Sequence, residues 1–161
     1  MPDFSIRKTD KSDAPARFEV TKVTWRDAYK DIFTLAEMEA VWAGEIEHRH
    51  PATDLRDEFI GGFVAEADGK IVGHITLATQ KDRRGEVAAF YVRPDYQGRG
   101  IGRALWDTAL ADLKARGCAE VDVWVLARGP AVTFYEAAGC VKFSEVVFSL
   151  GGHDEAIWGY R

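Results

Sequence analysis

The chain has 161 residues, 47% of them hydrophobic, which is the size of one globular domain able to bury a core without disulfide or metal staples. Its 21 basic and 26 acidic residues give a formal charge of -5, with neither sign gathered into the stripe that a nucleic-acid groove or an anionic membrane surface requires. Cys118 and Cys140 have no CxxC or Cys/His spacing, so they read as small hydrophobes in a reducing compartment. The first residues lack a cationic segment followed by an apolar one, and nowhere do about eighteen apolar residues run together, so a cytoplasmic location is expected.

Residues 4–8 alternate apolar and polar as a strand does. Asp10, Ser12 and Asp13 then offer caps for a helix that carries Phe18, Val23, Trp25 and Tyr29. Thr34 can cap a second helix through Leu35, Met38, Val41, Trp42 and Ile46, ending near Pro51, which disfavours helix at His50. Residues 63–67 and 71–78 flank Asp68-Gly69-Lys70, a hairpin signal, and residues 87–92 supply a third strand. In residues 100–116, Ile101, Leu105, Ala109 and Leu113 fall four apart on one face, and Gly117 stands in the stop position. Residues 121–125 read as a strand. Gly129-Pro130 opens a short helix that Gly139 stops, and residues 141–150 and 155–160 form a last pair of strands around Gly151-Gly152. The expected order is β-α-α-β-β-β-α-β-α-β-β, an α/β chain with one mixed sheet and a single domain over residues 1–161.

The run Phe90-Tyr91-Val92-Arg93-Pro94-Asp95-Tyr96-Gln97-Gly98-Arg99-Gly100-Ile101-Gly102-Arg103 passes from an apolar strand through a turn into the amphipathic helix. Glycines at 98, 100 and 102 let backbone come close to a ligand, so several N–H groups can converge on one anion at a helix N-terminus. The spacing differs from G-x-G-x-x-G, and no Gly-Lys-Ser/Thr follows, which argues against dinucleotide binding and nucleotide hydrolysis. By itself the glycine pattern fits either a phosphate cradle or a tightly packed βα turn.

Strand and loop together resemble motif A of the Gcn5-related N-acetyltransferases, Gln/Arg-x-x-Gly-x-Gly/Ala, matched by Gln97, Gly100 and Gly102. Thr133-Phe134-Tyr135-Glu136-Ala137-Ala138-Gly139-Cys140 resembles the family's second signature, and weaker similarities at Trp25-Arg26-Asp27-Ala28-Tyr29 and residues 150–161 extend the likeness over nearly the whole chain. The resemblance implies a central, mostly antiparallel sheet flanked by helices, acetyl-CoA as cosubstrate, no metal, and an amine acceptor that is a small molecule or a peptide. It implies a chain acting as monomer or homodimer. The pyrophosphate would lie on Gln97, Gly98, Arg99, Gly100, Ile101, Gly102 and Arg103, and the pantetheine arm along Phe90, Tyr91 and Val92. Tyr135 would serve the departing thiolate as an acid, although packing alone can also explain a Phe-Tyr pair. Arg128 stands where the family usually has Asn, and Cys140 where it has an aromatic residue; Arg128 would reach a coenzyme carbonyl or phosphate as a charged donor, or else is a solvated loop arginine.

A general base is needed because an amine of pKa near ~10 arrives protonated. Glu86 is the first candidate, with Glu66 and His74 behind it; each also reads as a polar residue paired locally. His48 and His50 lack metal-ligand spacing. The resemblance implies that residues 25–54 wall the acceptor site; Asp54, Asp57 and Glu58 beside Trp42 would suit a cationic amine or simply face solvent. The alternative function is a non-catalytic acyl-CoA binding or sensing module.

Overall fold

The computed structural model of the chain describes residues 3–45, 51–150 and 153–161. Among these residues seven strands form one sheet in the order β1-β2-β3-β4-β5-β7-β6. They are β1 Ser5–Lys8, β2 Arg56–Ala67, β3 Lys70–Gln80, β4 Gly85–Val92, β5 Val121–Leu126, β6 Lys142–Leu150 and β7 His153–Tyr160. The helices are α1 Ala14–Ala28, α2 Leu35–Trp42, α3 Ile101–Ala115 and α4 Ala131–Ala137, which reproduces the expected element order. Neighbouring strands are antiparallel except β4 and β5.

Local chemistry explains most boundaries. The β2–β3 turn is the pair Asp68-Gly69 with φ of 51° and 72°, the double left-handed geometry of a two-residue hairpin. Thr34 and Glu37 form a reciprocal capping box at the start of α2. That helix ends at Trp42, shorter than expected, and Gly44 follows with φ 72°. Ile46, His48 and His50 lie outside the described residues, as do Gly151 and Gly152.

The largest departure is β2, which begins at Arg56 rather than near Phe63. Its first half is polar and broken by Gly61-Gly62, which reads as loop. Two register shifts absorb the irregularity, and a Cβ at Gly62 would stand 1.9 Å from the Ile75 carbonyl oxygen, so the close approach to β3 requires glycine.

The amphipathic stripe of α3 packs on the sheet as its periodicity predicts: Leu105, Ala109 and Leu113 are fully buried among Val72, Ile75 and Leu77 of β3. On the opposite side, Trp25, Tyr29, Phe33 and Met38 form a second cluster under α1 and α2. Cys118 is buried and Cys140 half-buried, both as free thiols.

Candidate active site

The site begins where one pair of strands parts. Among the described residues β4 and β5 pair with each other only at Gly85↔Val121, Glu86↔Asp122 and Val87↔Val123, and no β4–β5 pair follows toward Val92 or Leu126. The gap between the diverging strands therefore shows main-chain groups in the middle of the sheet, which an extended amide chain can pair with. On its other side β4 stays paired with β3, with Ala88 as the extra residue of a bulge between Leu77↔Val87 and Thr76↔Ala89.

Two cavities occupy the gap. The outer one, about 420 Å³, runs from Gly98, Gly100 and Gly102 along Val92 and Phe90 to Phe134 and Tyr135. The inner one, about 150 Å³, continues toward the vertex between Val87 and Val123. Phe90, Tyr91 and Tyr135, with Tyr29 from α1, line both.

The glycine loop is shaped for an anion. Gly98 and Gly100 have φ of 74° and 85°, and a Cβ at either would meet open space, so glycine is required there by the backbone rather than by crowding. Gly102 has ordinary φ; a Cβ there would lie 3.8 Å from Phe90 and Phe134, so this glycine keeps the cleft floor low. Gly100 is the N-cap of α3 without a side-chain cap, and the first helical bond runs from Ala104 N–H to the Gly100 carbonyl at 3.0 Å. The N–H groups of Ile101, Gly102 and Arg103 are thereby left for a ligand at the positive end of a long helix. Gln97 donates its Nε2 to the Val92 carbonyl at 2.8 Å, which ties the loop to the strand end.

Three phenols meet where the cavities join. Tyr135 is buried and contacts Trp106 and Phe134 edge-on or tilted at 5.5 and 5.6 Å between ring centroids. Burial pushes its pKa well above the ordinary phenol value, with Tyr91 and Cys140 adding to the rise, so it is a protonated donor. Burial raises Tyr29 and Tyr91 in the same way.

Four side chains stand apart from this arrangement. Glu86, the first candidate base, has its carboxylate wholly buried on β4 and held by Arg56 through Nε at 3.0 Å and also Nη2, and it borders neither cavity. A carboxylate engaged at both oxygens is poorly placed to receive an acceptor's proton. Arg128 is likewise turned away, its Nε donating to Glu155 at 3.0 Å. Arg99 donates to the Asp95 carbonyl at 3.0 Å and stacks on Tyr96 behind the loop, and the Ile101 side chain is buried in the core. For those two residues only the backbone can serve the cleft.

The reserve bases are also occupied. Glu66 pairs with Arg7 at 2.7 Å, and His74 Nε2 lies 2.9 Å from the Thr21 hydroxyl. Burial depresses His74 to about 3, so its imidazole is neutral. Asp54, Asp57 and Glu58 border neither cavity. Ala88, Ala89 and Ala131 also wall the cavities, and nothing in the sequence marks them because short apolar side chains carry no chemical signal; Tyr29 and Phe33 come from the segment 25–54 expected to wall the acceptor site. Among the described residues no group of three or more His, Cys, Asp or Glu could hold a metal.

The sheet opened at β4 and β5 over a glycine-capped helix is an α/β architecture with a cleft fit for a ligand that carries both an anion and an extended amide chain. Residues 22–140 match the acetyltransferase (GNAT) family, and the chain belongs to it. It is an acetyltransferase of that family. An uncharacterized N-acetyltransferase of Bacillus subtilis (strain 168), YuaI, is 26% identical over 153 residues, covering 92% of this chain and 86% of YuaI. The mycothiol acetyltransferase of Streptomyces coelicolor is 40% identical over 83 residues, which span 50% of this chain but 27% of that protein. The PaiA N-acetyltransferase from Thermoplasma acidophilum, solved with coenzyme A, superposes with a TM-score of 0.72 at 21% identity, covering 97% of each chain.

Proposed function

We propose that this chain binds acetyl-CoA with its pyrophosphate on the backbone of residues 97–103 and its pantetheine arm along Phe90, Tyr91 and Val92. The acetyl group then passes directly to an amine of a small molecule or peptide. The amine nitrogen attacks the thioester carbonyl, a β4 N–H near Phe90 steadies the developing oxyanion, and Tyr135 donates its proton to the departing thiolate. A neutral phenol is suited to that donation because a thiolate forms beside it only as the C–S bond breaks.

The observation that carries this reading is the end of β4–β5 pairing at Val87↔Val123, with a continuous cleft from the Gly100 turn to the Tyr135 ring. No side chain is assigned as base; solvent at the open cleft would take the ammonium proton. The test is thioester consumption with acetyl-CoA and a panel of amines, followed as free thiol. Release of thiol that depends on the amine supports transfer, whereas coenzyme binding without thiol release under every amine supports a sensor instead.

A further inference from the structure

Beyond the thioester position, the inner cavity is larger than an acetyl group needs. It holds about 150 Å³ and is floored by Val87, Val123 and Ile157. Ala88 and Ala89 leave its β4 wall low, and Tyr29 and Phe33 close it toward α1 and α2. Among the described residues none of its walls carries a carboxylate, ammonium or guanidinium. A cavity of this size, walled mostly by apolar side chains with the phenols of Tyr29, Tyr91 and Tyr135 at its mouth, admits about six carbons, the size of a benzene ring. It follows the outer cleft along β4 and shares Phe90 and Tyr91 with it, so a chain extending past the thioester carbonyl can enter it.

We propose that this cavity is an acyl pocket, and that the enzyme takes neutral short-chain acyl-CoA thioesters of up to about six acyl carbons, more tightly than acetyl-CoA. The proposal rests on the coenzyme cleft described above. The transfer itself is unchanged. The amine nitrogen, one proton already lost to solvent, bonds to the acyl carbonyl carbon; the C–S bond breaks with its electrons on sulfur, the thiolate takes the Tyr135 proton to leave as free coenzyme thiol, and the second proton lost from nitrogen restores Tyr135. An acyl group with a terminal carboxylate is excluded, since no cation in the wall would replace its hydration.

Calorimetry on the intact chain tests this without knowledge of the acceptor, using CoA, acetyl-CoA, butyryl-CoA and succinyl-CoA. Butyryl-CoA should bind about tenfold more tightly than acetyl-CoA, since each buried methylene contributes about 0.8 kcal/mol and two are added. Succinyl-CoA should gain nothing over CoA. Ala88→Leu should cancel the butyryl gain while CoA affinity stays, with thermal melts checking that the variant folds. Equal or weaker binding of butyryl-CoA by the unaltered chain overturns the proposal and leaves the coenzyme cleft standing. If that result comes with faster thiol release for apolar than for polar amines, the cavity belongs to the acceptor. Failure of CoA itself to bind removes the cleft and the pocket together.

Discussion

Tyr135 sits at the junction of the two cavities, protonated by burial, so its hydroxyl can affect chemistry without affecting coenzyme affinity. Tyr135→Phe keeps the ring and should lower turnover by about 10² to 10⁴, with coenzyme affinity nearly unchanged. The raised pKa also sets a sign: the phenol remains protonated past pH ~10, so the wild type should show no loss of rate from its ionisation near the ordinary phenol value. Turnover and calorimetry on one preparation check both points. At Gly100 the reason for glycine is φ, so Gly100→Val should strain the turn by about 1–2 kcal/mol and remove measurable CoA binding while the sheet still folds. Arg128→Ala should barely change CoA affinity, because the guanidinium is engaged with Glu155; its effect should appear as a lower melting temperature. The residue type at 128 was legible as a departure from the family pattern, but its partner was not, since 27 residues separate the two along the chain.

Between elements, the contact of α1 with β3 contains groups that acid should disturb. His74 of β3 is buried against Thr21 of α1 and the Tyr91 ring, and Arg17 of α1 donates to Thr76 at 2.6 Å beside it. With its pKa lowered from 6.5 to about 3, His74 binds fewer protons folded than unfolded in that interval. Stability therefore rises with pH there, is fully present above about 6.5 and is lost progressively as pH falls toward 3. Asp13 adds a lower window. Hydrogen bonds from Arg7 and the Asp10 N–H hold it at about 2, so its contribution fades as pH drops from 3.8 to that value. Thermal melts from pH 7 to 4.5 should show a falling midpoint, and His74→Asn should flatten the slope. Most elements were legible in the sequence because their signals are local: the Thr34 capping box, the Asp68-Gly69 turn, the four-residue rhythm of α3. The first half of β2 was not, because its pairing depends on a glycine pressed against Ile75, a contact made across the sheet. The parting of β4 from β5 is encoded by no pattern within either strand.

For the whole molecule, the vertex of the opening is held by charge. Glu86 and Asp122 are register partners, both fully buried, the first clasped by Arg56 and the second by Arg161 at 2.7 and 3.1 Å. The sequence suggested Glu86 for chemistry because a carboxylate beside a catalytic strand has the right type; three dimensions give it a guanidinium partner instead. Glu86→Gln should cost about 3 kcal/mol or more in urea unfolding, since it leaves Arg56 without its charge partner in a buried setting. The same opening has another effect, on solubility. A sheet ordinarily hides its hydrogen-bonding edges or keeps them at its flanks, yet here two lie within the interior, where any stray strand of matching length could anneal. The coenzyme's amide arm would act as a removable plug for them. Deuterium uptake at alternate amides of residues 88–92 should slow on CoA binding, and concentrated protein kept with CoA should stay dispersed longer than protein without it.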